Sequence, residues 1–175
     1  MNELNNIVKV NGIYNNYEAV LMSDIFTVSM INSLILTKDA NKKNWSSGNL
    51  TYKLIIDNQT NITYTNLVIT DILDTSVIEF IDGSVKINDI YFNKDKYLFN
   101  NNTLKINLDK LSKKTKITIS FSVRKKYNEF FIIKNKFKVY YNDKIEESNY
   151  VIVNSLINRG SSTNNYCGVP FWRKR

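Results

Sequence analysis

Three polar residues, Lys38, Asp71 and Asn135, stand at positions where an alternating strand pattern calls for apolar side chains. Lys38 continues the alternation of Leu34 and Leu36, which indicates a β-strand. Since successive side chains of a strand point to opposite faces, a lysine in step with two leucines is expected in the core. Asp71 and Asn135 continue the apolar rows of two later strands in the same way. We therefore expect the three side chains to meet in one core, where a charge is costly unless it is paired or neutralised.

These residue types can form an isopeptide bond. Burial lowers the pKa of a lysine and raises that of an aspartate, so Lys38 becomes a nucleophilic amine and Asp71 an acid that polarises the carboxamide of Asn135. Attack of the amine on the carboxamide carbon, with loss of ammonia, joins two strands covalently in a dry, preorganised site. Lys38 and Asn135 are then the crosslinked residues and Asp71 is the catalytic one. The alternative interpretation is a buried Lys38–Asp71 ion pair that is hydrogen-bonded to Asn135.

The composition narrows the function classes. The chain has 175 residues, enough for one domain with a full core, and 43% of them are hydrophobic. It contains no histidine, which removes His-based triads, most zinc sites and the usual general base at neutral pH. The single cysteine, Cys167, allows no internal disulfide, and no apolar run is long enough to span a membrane. We therefore predict no cofactor, no metal site, no small-molecule substrate and no multiple-turnover enzyme.

The net charge of +8 permits binding to nucleic acid or to an anionic surface. Its densest parts are the alternating lysines at 134, 136 and 138 and the basic run at 124–126. A solvated sheet face explains both, and no nucleic-acid-reading motif accompanies them. Nucleic acid is therefore not an expected partner.

Strand patterns separated by polar turns dominate the sequence, and no long helix is indicated. Tyr (11) and Phe (9) are plentiful while Gly (5) and Pro (1) are scarce, which favours strands. Clear alternating rows lie at residues 50–57, 66–71, 104–108, 117–123 and 133–139. They predict an all-β fold, an antiparallel β-sandwich over residues 34–157. Residues 41–49 and 93–103 are predicted to be polar loops.

Seven short motifs lie between residues 34 and 153, and they are informative as a set: Leu36–Asn41, Gly48–Tyr52, Asp57–Asn58, Asn66–Leu73, Gly83–Val85, Asn135–Val139 and Glu147–Asn149. Together they resemble the conserved-repeat surface domain called domain of unknown function eleven, akin to the isopeptide-forming domains of Gram-positive pili and adhesins. The resemblance implies an immunoglobulin-like sandwich, in which the lysine, acid and asparagine of bond-forming relatives match Lys38, Asp71 and Asn135. The chain departs from the pattern in three ways: Leu73 is followed by Asp74 instead of proline, it has no secretion signal or wall anchor, and it holds one copy.

The N-terminal segment, residues 1–33, echoes the end of the predicted sandwich. Ser23–Val28 resembles Ser148–Val153, and an Asn-Ser-Leu triplet follows each of them. One interpretation is a remnant of a preceding repeat that adds strands to the sheet edge of a neighbouring subunit, giving head-to-tail polymers. The other, which we favour because an exposed strand pair invites aggregation, is that the strands Glu18–Met22 and Ile25–Met30 pair within their own domain.

The last segment, residues 158–175, is predicted to be a basic aromatic tail that ends in Phe171–Arg175. A solvated tail is the simpler expectation, and contact with a partner, a membrane surface or nucleic acid is the alternative. Cys167 lies in this tail. It is a candidate intermolecular thiol if it meets an oxidising environment, and otherwise an idle one.

A sandwich with a covalent tie between distant strands suits a mechanically loaded surface assembly, since the tie limits how far the chain can open. Residues 1–6 lack the basic start and apolar stretch of a secretion signal, so we expect synthesis in the cytoplasm and exposure on a spore or cell surface after lysis. The predicted function is a structural protein of a bacterial surface assembly, a spore coat or spore appendage, with self-association or other surface-layer proteins as partners. The alternative is a carbohydrate- or protein-binding adhesin module, with residues 41–49 and 93–103 as contact loops.

Overall fold

The computed structural model describes residues 2–30 and 34–158, and within them the chain consists of β-strands and the turns between them. The N-terminal segment holds β1 (Asn2–Asn6), β2 (Lys9–Tyr14), β3 (Tyr17–Met22) and β4 (Phe26–Met30). The remainder holds β5 (Ile35–Ala40), β6 (Asn44–Trp45), β7 (Leu50–Asn58), β8 (Tyr64–Ile72), β9 (Ile78–Phe80), β10 (Lys86–Ile87), β11 (Ile90–Tyr91), β12 (Tyr97–Asn100), β13 (Thr103–Leu111), β14 (Thr115–Lys125), β15 (Phe131–Asn135), β16 (Phe137–Tyr141), β17 (Lys144–Glu147) and β18 (Val151–Ser155). One turn of 3-10 helix, Lys94–Lys96, is the only helix in the described residues.

Two antiparallel sheets enclose the core. The first has the strand order β11-β10-β14-β7-β5, with β9 also paired to β14, and the second has the order β12-β13-β8-β16-β17. A small third sheet has the order β15-β18-β6, in which β6 runs parallel to β18. The predicted all-β sandwich class is therefore confirmed.

The central strand β7 shows how the sequence builds these sheets. Leu50, Tyr52, Leu54 and Ile56 alternate along it and are fully buried, and each such side chain contributes about 1.5–3 kcal/mol on leaving water. The strand ends at Asn58. Its Oδ1 accepts two hydrogen bonds from Thr60, one from the backbone N–H at 3.1 Å and one from the hydroxyl at 2.7 Å. Such an Asx turn satisfies backbone groups outside the ladder and reverses the chain.

The alternating row at 133–139 was expected to be a single strand, but the chain changes sheets within it. β15 pairs with β18 in the third sheet, whereas β16 pairs with β8 in the second. Lys136 is the residue between them. Because Ile133, Asn135, Phe137 and Val139 are buried on both sides of this switch, the burial pattern runs on without a break.

The prediction that residues 93–103 form a polar loop was wrong. β12 lies within this range and pairs with β13. Tyr97 is buried and the ring of Phe99 stacks on that of Phe80 with 4.7 Å between centroids, so two alternating aromatic residues anchor a strand in a polar stretch. The predicted loop at 41–49 likewise contains β6, with Trp45 fully buried.

The strands of the N-terminal segment pair with one another: β1 with β4 and β2 with β3, both antiparallel. β3 and β4 match the two strands expected there, but they are not each other's partners, and β1 and β2 were not predicted. Residues 31–33 and 159–175 lie outside the described residues, and with them the tail and Cys167. No helix in the described part of the chain has the length and apolar character needed to cross a membrane.

Candidate functional site

The structure brings Lys38, Asp71 and Asn135 together in the core, each from a different sheet. Lys38 lies on β5 of the first sheet, Asp71 lies on β8 of the second, and Asn135 is the last residue of β15 in the third. Their exposed fractions are 2%, 1% and 6%. The sheet switch at Lys136 positions Asn135, because it places the end of β15 beside the start of a strand that pairs with β8.

Asp71 connects the other two side chains. Its Oδ2 accepts a hydrogen bond from Nζ of Lys38, and its Oδ1 accepts one from Nδ2 of Asn135 at 2.8 Å. The backbone of Asp71 is paired on both sides, opposite Leu104 of β13 and Phe137 of β16. The carboxylate is therefore held by a central strand, with one oxygen for the amine and one for the amide.

Burial opposes both charges of this pair. It lowers the pKa of the Lys38 ammonium and raises the pKa of the Asp71 carboxyl, and the attraction between the two groups only partly offsets this. Transfer of one proton from Nζ to the carboxylate leaves a neutral amine next to a carboxylic acid. Those are the protonation states that nucleophilic attack on an amide requires.

Two aromatic rings lie next to the amine. Nζ of Lys38 is 4.5 Å from the ring centroid of Tyr52 and 5.7 Å from that of Phe121. The two aromatic residues are cross-strand partners on β7 and β14, and their ring centroids are 5.5 Å apart. A ring face attracts an ammonium but gives a neutral amine a dry, apolar surface. The sequence placed Tyr52 in a core row without assigning it to this site.

The hydroxyl of Tyr52 is the one buried side-chain polar atom without a hydrogen-bond partner in the described residues. Burial, and then the nearby Asp71 carboxylate, raise the pKa of Tyr52, so the phenol stays protonated. A buried polar group without a partner is destabilising, and such groups are rare in native structures.

Asn149 holds the backbone of Lys38 and was not predicted as a site residue. The backbone N–H of Lys38 donates to Oδ1 of Asn149 at 2.9 Å, and Nδ2 of Asn149 donates to the carbonyl of Lys38 at 3.0 Å. Strand β5 is at the edge of the first sheet, so this amide takes the place of a neighbouring strand at one position. The abundance of asparagine in the chain hid this residue, although the position belongs to the stretch Glu147–Asn149.

A surface cavity of about 330 Å³ reaches the site. It is lined by Thr70, Ile72, Thr103, Lys134, Asn135, Lys136, Lys138, Tyr140 and Tyr150. Asn135 is the only residue of the Lys38–Asp71–Asn135 cluster among them. The carboxamide therefore lies between the dry core and an opening to water.

The two basic stretches of the sequence have local partners. Lys136 and Lys138 both pair with Glu147, and Nζ of Lys134 lies 4.2 Å from the ring centroid of Tyr150. In the run at 124–126, Arg124 makes two hydrogen bonds of 2.8 Å to Glu79, and the following two lysines donate to backbone carbonyls. This agrees with solvated sheet faces.

Comparison with solved structures relates the sandwich to pilin and adhesin domains. The full-length major pilin SpaD of Corynebacterium diphtheriae is 21% identical, with a TM-score of 0.52 over 77% of this chain and 46% of the pilin. The major pilin subunit BcpA of Bacillus cereus is 15% identical, with a TM-score of 0.54 over 85% of this chain and 48% of the pilin. The collagen-binding domain of the Erysipelothrix rhusiopathiae surface protein RspB is 14% identical, with a TM-score of 0.52 over 88% of this chain and 56% of that structure.

The chain has the immunoglobulin-like β-sandwich fold of these proteins. It spans about half the length of each of the three, and at these identities the likeness concerns the fold alone. No protein-family model and no curated protein matches the chain. Membership of the domain of unknown function eleven therefore stays a prediction.

Proposed function

We propose that this protein is a structural module of a bacterial surface assembly, stiffened by an isopeptide bond that it forms between Lys38 and Asn135. The observation that carries the proposal is the buried contact of one Asp71 carboxylate with both the amine and the carboxamide. The fold shared with pilin and adhesin domains supports the surface role.

The reaction needs no external reagent. The ammonium of Lys38 gives one proton to Asp71, and the neutral amine attacks Cγ of Asn135, whose Nδ2 stays in contact with the Asp71 carboxyl. The carboxyl passes its proton to Nδ2, the bond from Cγ to Nδ2 breaks, and this nitrogen leaves as ammonia. The attacking nitrogen gives its extra proton back to the carboxylate, so Nζ and Cγ remain joined and Asp71 ends as the protonated acid. One C–N bond forms and one breaks.

The surroundings favour this exchange at each step. Tyr52 and Phe121 keep water from the amine, which preserves its neutral form and strengthens its interaction with Asp71. The two hydrogen bonds from Asn149 fix the strand that carries Lys38. The cavity at Asn135 gives ammonia a route out of the protein, which makes the reaction effectively irreversible.

The position of the tie has a mechanical consequence. Lys38 lies on the first strand of the sandwich, and Asn135 lies three strands before its end. A pulling force on the two ends of the chain would pass from one residue to the other through the covalent bond. Residues 39–134 would then stay folded under load, as a member of a fibre or coat requires.

Intact mass spectrometry of the purified protein tests the bond. We expect the wild type to weigh one ammonia less than its sequence, and Lys38→Met and Asn135→Ala to show no deficit. Lys53→Ala is the matched control, because Lys53 is an exposed lysine on the neighbouring strand β7 and its loss leaves the deficit intact. A peptide map must contain a Lys38–Asn135 crosslink. A wild-type mass equal to the sequence would contradict the proposal.

The assembly that we propose is a spore coat or spore appendage. Fractionation of sporulating cells with an antibody against the protein is expected to place it in the spore surface fraction, and electron microscopy to show polymers of the purified chain. A monomeric protein absent from spores would refute this location without affecting the bond.

A second candidate function, a binding module of the adhesin type, is favoured by a separate open cleft of about 770 Å³. It is lined by Thr75, Ile78, Glu79, Phe80, Asp82, Lys94, Tyr97, Leu98, Phe99, Asn100, Asn101, Asn102 and Lys126, which include the predicted contact stretch 93–103. Aromatic rings with several amides beside them are typical of ligand clefts. Binding on a glycan array that Leu98→Asp abolishes, and that Ile90→Asp leaves intact, would support this function, because Ile90 is an exposed apolar residue of β11 that does not line the cleft. Absence of binding would exclude glycans as its ligands.

A further inference from the structure

The last four strands of the sandwich, β15–β18, are called the closing unit here, and β5–β14 are called the body. The N-terminal strands β1–β4 repeat the closing unit in order and in pairing. β15 pairs with β18 and β16 with β17, while β1 pairs with β4 and β2 with β3. The outer pairs agree residue by residue: Asn2↔Met30 through Asn6↔Phe26 corresponds to Phe131↔Ser155 through Asn135↔Val151.

The hydrogen bonds at the bend between the two strand pairs agree as well. In the closing unit, the backbone N–H of Ser148 donates to the carbonyl of Phe137 at 3.0 Å, the Ser148 hydroxyl oxygen accepts from the N–H of Phe137 at 3.1 Å, and the hydroxyl donates to the next carbonyl at 2.9 Å. In the N-terminal segment, Ser23 makes the same three bonds with Val8 and with its next carbonyl, at 2.9, 3.0 and 2.9 Å.

Both inner hairpins turn through two residues with positive φ, Asn15-Asn16 and Asn142-Asp143. This is the type I′ geometry that suits the twist of antiparallel strands. The N-terminal hairpin is two residues longer on each strand. Val8 and Phe137 are the residues bonded to the serine at the bend. Asn6 precedes Val8 by two residues, and Asn135 precedes Phe137 by two residues, so the two asparagines occupy equivalent positions.

The two units differ in what covers them. Phe137 and Val139 are fully buried against the body, whereas their counterparts Val8 and Val10 are 59% and 56% exposed. Two-stranded ribbons are marginal on their own, and exposed apolar rows mark interaction surfaces. The molecule itself contains the surface that covers such a unit, namely a body of the β5–β14 kind.

We propose that β1–β4 are a second closing unit, which docks onto and completes an immunoglobulin-like body that lacks its own closing strands. The partner that fits is a second sandwich body of this kind, with a lysine and an aspartate in its core. Asn6 then takes the place of Asn135. The amine of the partner's lysine would then attack Cγ of Asn6, and ammonia would leave from Asn6. The new bond between Cγ and the lysine nitrogen would link the N-terminal segment covalently to the partner body. This covalent step rests on the proposed function, but the docking does not.

The test is co-expression of the tagged full chain with an untagged probe, residues 34–128 of this sequence, which is a body without a closing unit. The positive control is a tagged segment of residues 129–158, the natural closing unit, which must retain the probe. We expect the full chain to retain the probe, and Val8→Asp combined with Val10→Asp to lose it. The matched control is Ile13→Asp, a still more exposed apolar residue in the added part of the hairpin, which has no counterpart in the closing unit and must leave capture intact.

These variants leave the closing unit of the full chain unchanged, so capture by exchange of β15–β18 would persist in the double variant. That result, or no capture by the wild type while the 129–158 segment retains the probe, would overturn the proposal.

Peptide mapping of the captured pair separates the chemistry from the docking. A crosslink from Lys38 of the probe to Asn6, lost in Asn6→Ala while capture remains, supports the acceptor role of Asn6. Capture without a crosslink refutes that role, and the ammonia deficit of the full chain independently reports on Lys38 and Asn135.

Discussion

The second sheet has lysine–carboxylate contacts on both of its faces, one in the core and one on the surface, and they behave in opposite ways. In the core, burial lowers the pKa of Lys38 and raises that of Asp71. On the surface, hydrogen bonds raise the pKa of Lys136 and Lys138 and lower the pKa of Glu147 to about 2. The inner pair is driven towards its neutral forms and the outer cluster towards its charged forms.

Burial, and not contact, therefore decides what a lysine–carboxylate pair can do. A charged pair in water is a weak electrostatic link, because solvent screens it and the side chains lose freedom. In a pair removed from water, both charged forms are disfavoured, so the proton can move from the lysine to the carboxylate. The neutral amine that results can then react with a neighbouring amide. The difference predicts that replacing the carboxylate with an amide has very different effects at the two sites.

The largest effect is expected from Asp71→Asn, which replaces the buried carboxylate with an amide of the same shape. It leaves the Lys38 nitrogen in the core without its carboxylate partner, at a cost of about 3–5 kcal/mol of unfolding free energy. It also removes the proton acceptor, and loss of a tie around about 100 residues costs a further 4–5 kcal/mol or so. Urea unfolding and intact mass measure the two contributions. Glu147→Gln is the same chemical change on the surface and must be nearly silent by comparison.

Adding Lys38→Met to Asp71→Asn sharpens the comparison. The unpartnered nitrogen disappears with the lysine, so the double variant is expected to regain about 3 kcal/mol over Asp71→Asn alone, but not the stability that the tie provides. The ammonia deficit stays absent in both variants. A double variant no more stable than the single one would show that the buried nitrogen of Lys38 is not the source of the loss.

Much of this core could be predicted from the sequence, because strand alternation fixes which face a residue occupies. Lys38 is in step with Leu34 and Leu36, and the structure has it pointing inward, although its chemical role remains a prediction. The change of sheet at Lys136 could not be predicted in this way, because side chains alternate across it as they would in one continuous strand.

Only the second half of the repeated closing unit could be recognised in the sequence, because the two copies differ in the length of the inner hairpin. Ser23–Val28 and Ser148–Val153 match in the structural register, but the strands before the hairpin turn are displaced by the longer N-terminal hairpin. No single alignment offset covers both halves. The Asn-Ser-Leu triplets were misleading, since Ser155 corresponds in register to Met30 and not to the serine at position 33.

Asn149 also escaped prediction, and its removal tests whether the backbone of Lys38 needs support. Asn149→Ala deletes two partly buried hydrogen bonds, so a loss of about 1–2 kcal/mol of unfolding free energy is expected, together with slower loss of ammonia from newly synthesised protein. Time-resolved intact mass measures the second effect. Asn154→Ala is the control, because its side chain makes an exposed bond to Asn44 at 3.3 Å away from the site. An unchanged rate of ammonia loss in Asn149→Ala would contradict a positioning role.

A smaller effect of opposite sign is expected from Tyr52→Phe. The hydroxyl has no hydrogen-bond partner, so its removal relieves a desolvation cost and should raise stability by up to about 1 kcal/mol. The ring stays next to Nζ of Lys38, and the ammonia deficit should persist. Thermal unfolding and intact mass check both points. A clear loss of stability would mean that the hydroxyl takes part in the buried cluster.

The smallest effect concerns the pH dependence of the surface cluster. The pKa of Glu147 is lowered in the folded protein from an ordinary value of 4.5 to about 2 by its hydrogen bonds with Lys136 and then Lys138. Its contribution to stability is therefore present above pH 4.5 and is lost as the pH falls through about 2. We expect the small difference in melting temperature between wild type and Glu147→Gln to shrink over this interval and with added salt, because the cluster faces water. A difference that survives both acid and salt would mean that Glu147 behaves like the buried pair, and would remove the contrast between the two faces of the second sheet.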